Sequence, residues 1–158
     1  MADKHMVSVL NVDFVSIYLE KLVIELSKRI KLSQKTFIVT ANPEIVMYGN
    51  KDSDYLKMIN SADYVIADGY GIILASKILG NELPERIAGF DLMNTLLAKE
   101  NEEKWSVYFL GAKEEVINKA VENIQEQYPE LNIVGWQNGY GDVHSEELKK
   151  SIASKKPD

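Results

Sequence analysis

Tyr64-Val65-Ile66-Ala67-Asp68-Gly69-Tyr70-Gly71 is the stretch that decides the fold. Four apolar, β-prone residues read as a short buried strand, which a carboxylate and two glycines then break. Ile72 to Leu79 continues as an apolar helix, so a strand turns directly into a helix here. Upstream, Thr36-Phe37-Ile38-Val39-Thr40 is a second buried strand, ended by Asn42-Pro43, where Pro43 suits the first turn of a short helix. Another short helix, Asp54 to Ile59, separates the two strands. Before them, Ser16 to Leu32 carries Leu19, Leu22, Val23, Leu26 and Ile30 at helical spacing, and Val7 to Val12 reads as a first strand. Downstream, Gly80 to Pro84 is a turn, Phe90 to Lys99 a helix and Trp105 to Leu110 the next strand. Gly111 then opens a helix with Val116, Ile117, Ala120, Val121 and Ile124 as its buried stripe. Leu131 to Val134 is a further strand, and a polar helix near Ser145 to Ser154 follows the Gly139-Tyr140-Gly141 loop.

Strands alternating with helices of this length predict βαβ units. The expected class is α/β, a single domain over 7–158 with a Rossmann-like parallel-sheet core and helices on both faces. In such sheets ligands gather at the carboxyl ends of the strands, where loops meet helix N-termini. Thr40-Ala41-Asn42, Ala67-Asp68-Gly69 and Leu110-Gly111-Ala112 all fall at that edge.

Composition narrows the chemistry. The 158 residues include no cysteine, which excludes disulfides, thiolate metal sites and a cysteine nucleophile. His5 and His144 are the two histidines, too few for a multi-histidine metal cage. A formal net charge of −6 argues against nucleic acid as a partner, because phosphate-backbone binding needs a basic surface. No apolar run approaches the roughly 20 residues that span a bilayer, and no signal peptide is read at the N-terminus, so the cytoplasm is the expected compartment. Residues 1–6, Met1-Ala2-Asp3-Lys4-His5-Met6, contain a second methionine and are set aside as a candidate cloning remnant.

Asp68 is the first candidate for chemistry. Gly69 and Gly71 let the backbone turn sharply and approach a ligand closely. A carboxylate with an apolar strand behind it and an open cleft in front is placed to act as general base, or else to cap the next helix. Gly69-x-Gly71 also begins a dinucleotide fingerprint, but position 74, where the third small residue belongs, is Leu74, and the fingerprint is rejected. Asp52-Ser53-Asp54 matches the D-x-D metal-holding pattern, yet an N-cap at a helix start explains it better. Thr40 and Asn42 can bond sugar hydroxyls or orient Asp68; equally, Asn42 can bond its own backbone in an Asn-Pro turn. Arg86 is suited to offset charge on a departing diphosphate, although composition alone favours a solvated arginine paired with Glu85 or Glu82. Gly111 precedes a helix whose amides can face a phosphate, and Tyr140 can stack on a base, while turn formation serves both as well. The basic group Lys28, Arg29, Lys31 and Lys35 is read as answering the dipole of the first helix.

Taken in order, Thr40-Ala41-Asn42-Pro43-Glu44, Ala67-Asp68-Gly69-Tyr70-Gly71, Glu85 to Leu92, Tyr108-Phe109-Leu110-Gly111 and Asn138-Gly139-Tyr140 resemble the TagA/WecG/CpsF family of bacterial glycosyltransferases. The resemblance implies inverting transfer of N-acetylmannosamine or a related sugar from a UDP-sugar to undecaprenyl-diphosphate-linked N-acetylglucosamine, in wall teichoic acid or surface polysaccharide synthesis. It implies Asp68 as general base, Arg86 as leaving-group stabiliser, and Thr40 and Asn42 as pocket residues, beside Gly69, Gly71, Gly111 and Tyr140 as further substrate contacts. No cofactor and no metal are expected. Members of that family continue past the point matching Asp158 with a strand, a Gln-containing segment and a basic tail associated with the inner face of the membrane. The chain is therefore expected to be truncated, to fold, to form an oligomer that hides an exposed edge, and to turn over poorly. Two rival readings are a nucleotide-sugar-binding module without catalysis and a nicotinamide-dependent oxidoreductase, the latter disfavoured by Leu74.

Overall fold

The computed structural model describes residues 5–142 and 144–158, with residues 100–103 described by their backbone. It divides into two compact units, Met1–Met93 and Asn94–Asp158, which are taken in turn.

The first unit opens with a hairpin, β1 (Met6–Val9) and β2 (Val12–Val15), paired antiparallel with Val9 opposite Val12. The single strand expected over Val7 to Val12 is thus two strands and a two-residue turn. Leu10 (φ 49°) and Asn11 (φ 64°) form that turn, both in the left-handed region that matches the twist of a tight hairpin. Nothing intrinsic to leucine favours this conformation. It is held from outside: Asn50 Nδ2 donates to the Leu10 carbonyl at 2.6 Å, Asn60 Nδ2 to the Asn11 carbonyl at 2.8 Å, and Asn11 Nδ2 to Asn50 Oδ1 at 3.0 Å.

Helix α1 (Leu19–Lys31) buries Leu22, Val23 and Leu26, the middle of the predicted stripe. Its first turn has no side-chain cap from Tyr18; instead the Glu85 carboxylate accepts from the Leu19 amide. At the other end Lys28, Arg29 and Lys31 sit in the last turn, as the dipole reading expects. Arg29 does more than that. It donates to Thr36 Oγ1 at 2.6 Å, pairs with Asp63 at 2.9 Å and lies 5.9 Å from the centre of the Tyr64 ring, fastening the helix end to the starts of the next two strands.

Those strands are β3 (Ile38–Ala41) and β4 (Tyr64–Ala67), paired parallel with Thr40 opposite Ile66 and Ala41 opposite Ala67. All four β4 residues are buried. Two short helices link them, α2 (Pro43–Gly49) with Pro43 in its first turn, and α3 (Ser53–Asn60). Asp52 caps α3 by accepting from the Asp54 and Tyr55 amides at 3.0 Å each, so Asp52-Ser53-Asp54 is a helix start. Val7, Val9, Val12, Phe14, Ala41, Val46, Ile59, Val65, Ala67, Ile72 and Leu83 form the core of this unit. Helix α4 (Tyr70–Ile78) follows β4, and the fully buried Ser76 donates to the Ile73 carbonyl and accepts from the Leu83 amide, tying down the loop beyond it. Helix α5 (Gly89–Glu103) carries the chain onward.

The second unit pairs β5 (Ser106–Leu110) with β6 (Asn132–Gln137), again parallel, with an irregularity between Val107 and Tyr108. Between them runs α6 (Glu114–Gln127), burying Ile117 and Val121, and after them α7 (Glu146–Lys155), capped by Ser145. Trp105 is buried just before β5; Trp136 is half-exposed and donates from Nε1 to Asn118 Oδ1 at 2.8 Å. Parallel strand pairs with intervening helices in both units are the predicted α/β class.

Tyr64 gives the first unit an alkaline limit. Burial, and then its hydrogen bond to Glu25 Oε2 at 2.8 Å, push its hydroxyl up from 10.0 to about 12. A raised value means the protonated form is favoured in the fold, so its contribution is complete below pH 10 and is lost as pH rises through about 12. Urea midpoints measured between pH 9 and 12 should fall more steeply in the natural chain than in Tyr64→Phe. Parallel curves would refute the assignment.

Candidate functional site

The carboxyl ends of β3 and β4 present Thr40 and Asp68, and three neighbouring segments fix what surrounds them. The Asp68 amide donates to the Ala41 carbonyl at 3.1 Å, and the Ile87 amide to the Ala67 carbonyl at 2.9 Å. The loop before α5 is thereby drawn along the end of β4. Its next residues bring Gly89 beside both strand ends: the Gly89 amide donates to Asp68 Oδ2 at 3.1 Å, and a Cβ on Gly89 would stand 3.0 Å from Thr40 Oγ1. A side chain at residue 89 would press on Thr40, which would have to give by a few tenths of an ångström.

Asp68 is half-buried. One of its oxygens answers the first amide of α5, and the other has no hydrogen-bond partner among the described residues. The carboxylate does cap a helix start, yet that helix is α5, some twenty positions on, and not α4, which follows Asp68 directly. Holding Oδ2 on a backbone amide fixes the orientation of the group and leaves Oδ1 to accept a proton.

Asn42 spends its side-chain oxygen on the Ile45 amide at 2.9 Å, so it is the N-cap of α2, the turn reading left open above. Its Nδ2 donor has no partner among the described residues. Pro43, the next residue, explains the two glycines. A Cβ on Gly69 would lie 3.0 Å from Pro43 Cδ, and one on Gly71 3.0 Å from Pro43 Cγ; Gly69 in addition has φ +138°. The positive φ favours glycine at 69, and the close approach of Pro43 favours a small residue at both 69 and 71.

Arg86 has neither of the partners that composition favours. Glu85 faces α1, and Glu82 pairs with Lys77 at 3.7 Å. Arg86 instead lies 5.1 Å from the centre of the Tyr70 ring and 3.7 Å from Asp91, with about a third of its side chain exposed. Tyr70, Gly89 and Asp91 are the residues that reading the sequence did not assign. Gly89 and Asp91 do stand in the quoted Glu85 to Leu92 segment, and a glycine two residues before an aspartate at a helix start was the available signal.

Thr40, Asn42, Asp68, Gly69, Gly71 and Arg86 all belong to the first unit. Gly111 and Tyr140 belong to the second. There Gly111 takes φ +144°, its amide donates to the Gln137 carbonyl at 3.0 Å, and the Gly139 amide donates to the Ala112 carbonyl at 2.9 Å. A Cβ on Gly139 would stand 3.0 Å from Gly111 Cα, so the two turns lie backbone against backbone at the ends of β5 and β6. The Tyr140 side chain is exposed. Among the described residues no group of three His, Asp or Glu side chains is placed to hold a metal ion, and no helix is long and apolar enough to cross a membrane.

The chain itself has known relatives. The model of the glycosyl transferase WecG/TagA/CpsF family matches residues 7–158, and the chain belongs to that family. It is 39% identical over 155 residues to a Staphylococcus aureus protein named N-acetylglucosaminyldiphosphoundecaprenol N-acetyl-beta-D-mannosaminyltransferase, covering 96% of this chain and 60% of that relative. It is 38% identical over 122 residues to the proteins of the same name from Bacillus spizizenii and Bacillus subtilis, covering 77% of this chain and 47% of each relative. The chain thus spans about half to three-fifths of the length of these relatives.

The Pro43 contact makes a prediction that separates sterics from backbone strain. Gly69→Ala should cost about 1–3 kcal/mol, since it adds a positive-φ penalty to the clash. Gly71→Ala, with the clash alone, should cost less. Pro43→Ala in the same chain should relieve Gly71→Ala and leave Gly69→Ala still destabilised. Thermal unfolding of the four variants checks this, and equal rescue of both glycine positions would contradict it.

Proposed function

We propose that the chain carries the active site of an inverting glycosyltransferase. It would move N-acetylmannosamine, or a closely related sugar, from a UDP-sugar to undecaprenyl-diphosphate-linked N-acetylglucosamine. The names of the relatives and the family membership support this reading. The observation that carries it is the Asp68 carboxylate, held by the Gly89 amide through one oxygen and open at the other.

In this reading Asp68 Oδ1 takes the proton from the acceptor hydroxyl as that oxygen attacks the anomeric carbon. The attack comes from the face opposite UDP, so the configuration inverts. The C–O bond to the diphosphate breaks, and the electron pair leaves with UDP. Arg86 then lies near the growing negative charge and stabilises it as a fixed cation, a role a metal ion fills elsewhere. Thr40 and the free Nδ2 of Asn42 are suited to sugar hydroxyls beside Asp68. Gly111 and Tyr140 are assigned to the nucleotide, through an open backbone and a ring face. We assign the reaction to the cytoplasmic face of the membrane, because the donor is water-soluble whereas the acceptor's hydrocarbon chain belongs in the bilayer.

Transfer is measured with labelled UDP-N-acetylmannosamine and a short-chain acceptor, in a protein of the relatives' full length. Asp68→Asn should lower kcat by at least 100-fold while the affinity for UDP changes by less than about threefold. Excess chelator should leave the rate unchanged. A thermal-shift response to NAD with none to UDP or UDP-sugars would favour the oxidoreductase reading and end this one. UDP binding with no transfer in the natural protein would favour a binding module.

A further inference from the structure

Arg86 is held in an unusual way for a surface arginine. An arginine offers five N–H donors in a planar fork. Here, among the described residues, none of the five meets a hydrogen-bond acceptor, and the Asp91 contact at 3.7 Å is an ion pair too long to be a hydrogen bond. The side chain is nonetheless placed, because its guanidinium lies 5.1 Å from the centre of the Tyr70 ring. Tyr70 stands at the start of α4 and Asp91 in the first turn of α5, so two elements meet one cation.

Resting on the transferase reading above, we propose that Tyr70 and Asp91 are positioning residues for Arg86, with Tyr70 a permanent seat and Asp91 a tether that the donor's diphosphate displaces. Phosphate and carboxylate compete for the same guanidinium fork, and a diphosphate oxygen carries the stronger claim through bidentate bonds. A ring contact, unlike a salt bridge, leaves every N–H of the fork available to that ligand. The 3.7 Å ion pair keeps the cation near its working position while the site is empty and gives way at little cost, as exposed pairs do.

The two roles give opposite signs, which a purely structural role would not. Calorimetric titration of the 158-residue chain with UDP, and with uridine as the phosphate-free comparison, reads both. Asp91→Asn should tighten UDP binding about twofold to fivefold. Tyr70→Leu should weaken it by about the same factor, and Tyr70→Phe, which keeps the ring, should stay within twofold of the natural chain. Uridine affinity should not change in any of the three. Asp54→Asn, the same charge change on an exposed residue of α3, should leave UDP affinity unaltered and so separates the local contact from net charge. Weaker or unchanged UDP binding in Asp91→Asn would overturn the tether. Equal losses in Tyr70→Leu and Tyr70→Phe would overturn the seat. A natural chain that ignores UDP altogether would instead remove the transferase reading and this inference with it; one that binds UDP, with variants that miss these shifts, removes the inference alone.

Discussion

One hydrogen bond organises the first unit's chemistry: the Gly89 amide to Asp68 Oδ2. It joins the end of β4 to the start of α5, elements separated by a helix and a loop. Three neighbouring features accompany it. The loop follows β4 as far as Ile87, whose amide meets Ala67. Residue 89 is best small, since a Cβ there would stand 3.0 Å from Thr40 Oγ1. The turn after Asp68 passes close to Pro43, which Gly69 and Gly71 make easier. A carboxylate left to choose its own rotamer would sample several directions; this one has a single oxygen pinned and a single oxygen to offer.

The same economy of contacts explains which side chains stay available. Capping consumes polar groups: Asn42 gives its oxygen to Ile45, Asp52 its carboxylate to α3, and Glu85 its carboxylate to α1. What remains uncommitted is informative. The amide nitrogen of Asn42, one oxygen of Asp68 and the fork of Arg86 are polar groups in one unit without hydrogen-bond partners among the described residues. Polar groups left so usually find water or a ligand.

Much of this was legible before any coordinates. The strand over Tyr64–Ala67, the helix start at Pro43 and the N-cap at Asp52 follow from local chemistry, and local chemistry is what the chain displays there. The hairpin at Leu10–Asn11 was not legible, because no glycine marks the turn; the asparagines that enforce it lie 39 to 49 positions away. Arg86 illustrates the same limit. Its neighbours in sequence, Glu82 and Glu85, are the partners spacing suggests, yet each is engaged by a different helix, and the ring and carboxylate it meets come from α4 and α5. Contacts set by tertiary placement leave no mark in a window of adjacent residues.

The placement of the indoles has a practical use. Both tryptophans of the chain, the buried Trp105 and the half-exposed Trp136, belong to the second unit, whereas the first holds tyrosines and phenylalanines but no tryptophan. Emission excited at the red edge of the ultraviolet band therefore watches one half of the molecule, and circular dichroism watches both. Comparing the two signals through a melt reveals, without any label, whether the halves come apart as one cooperative body or in succession.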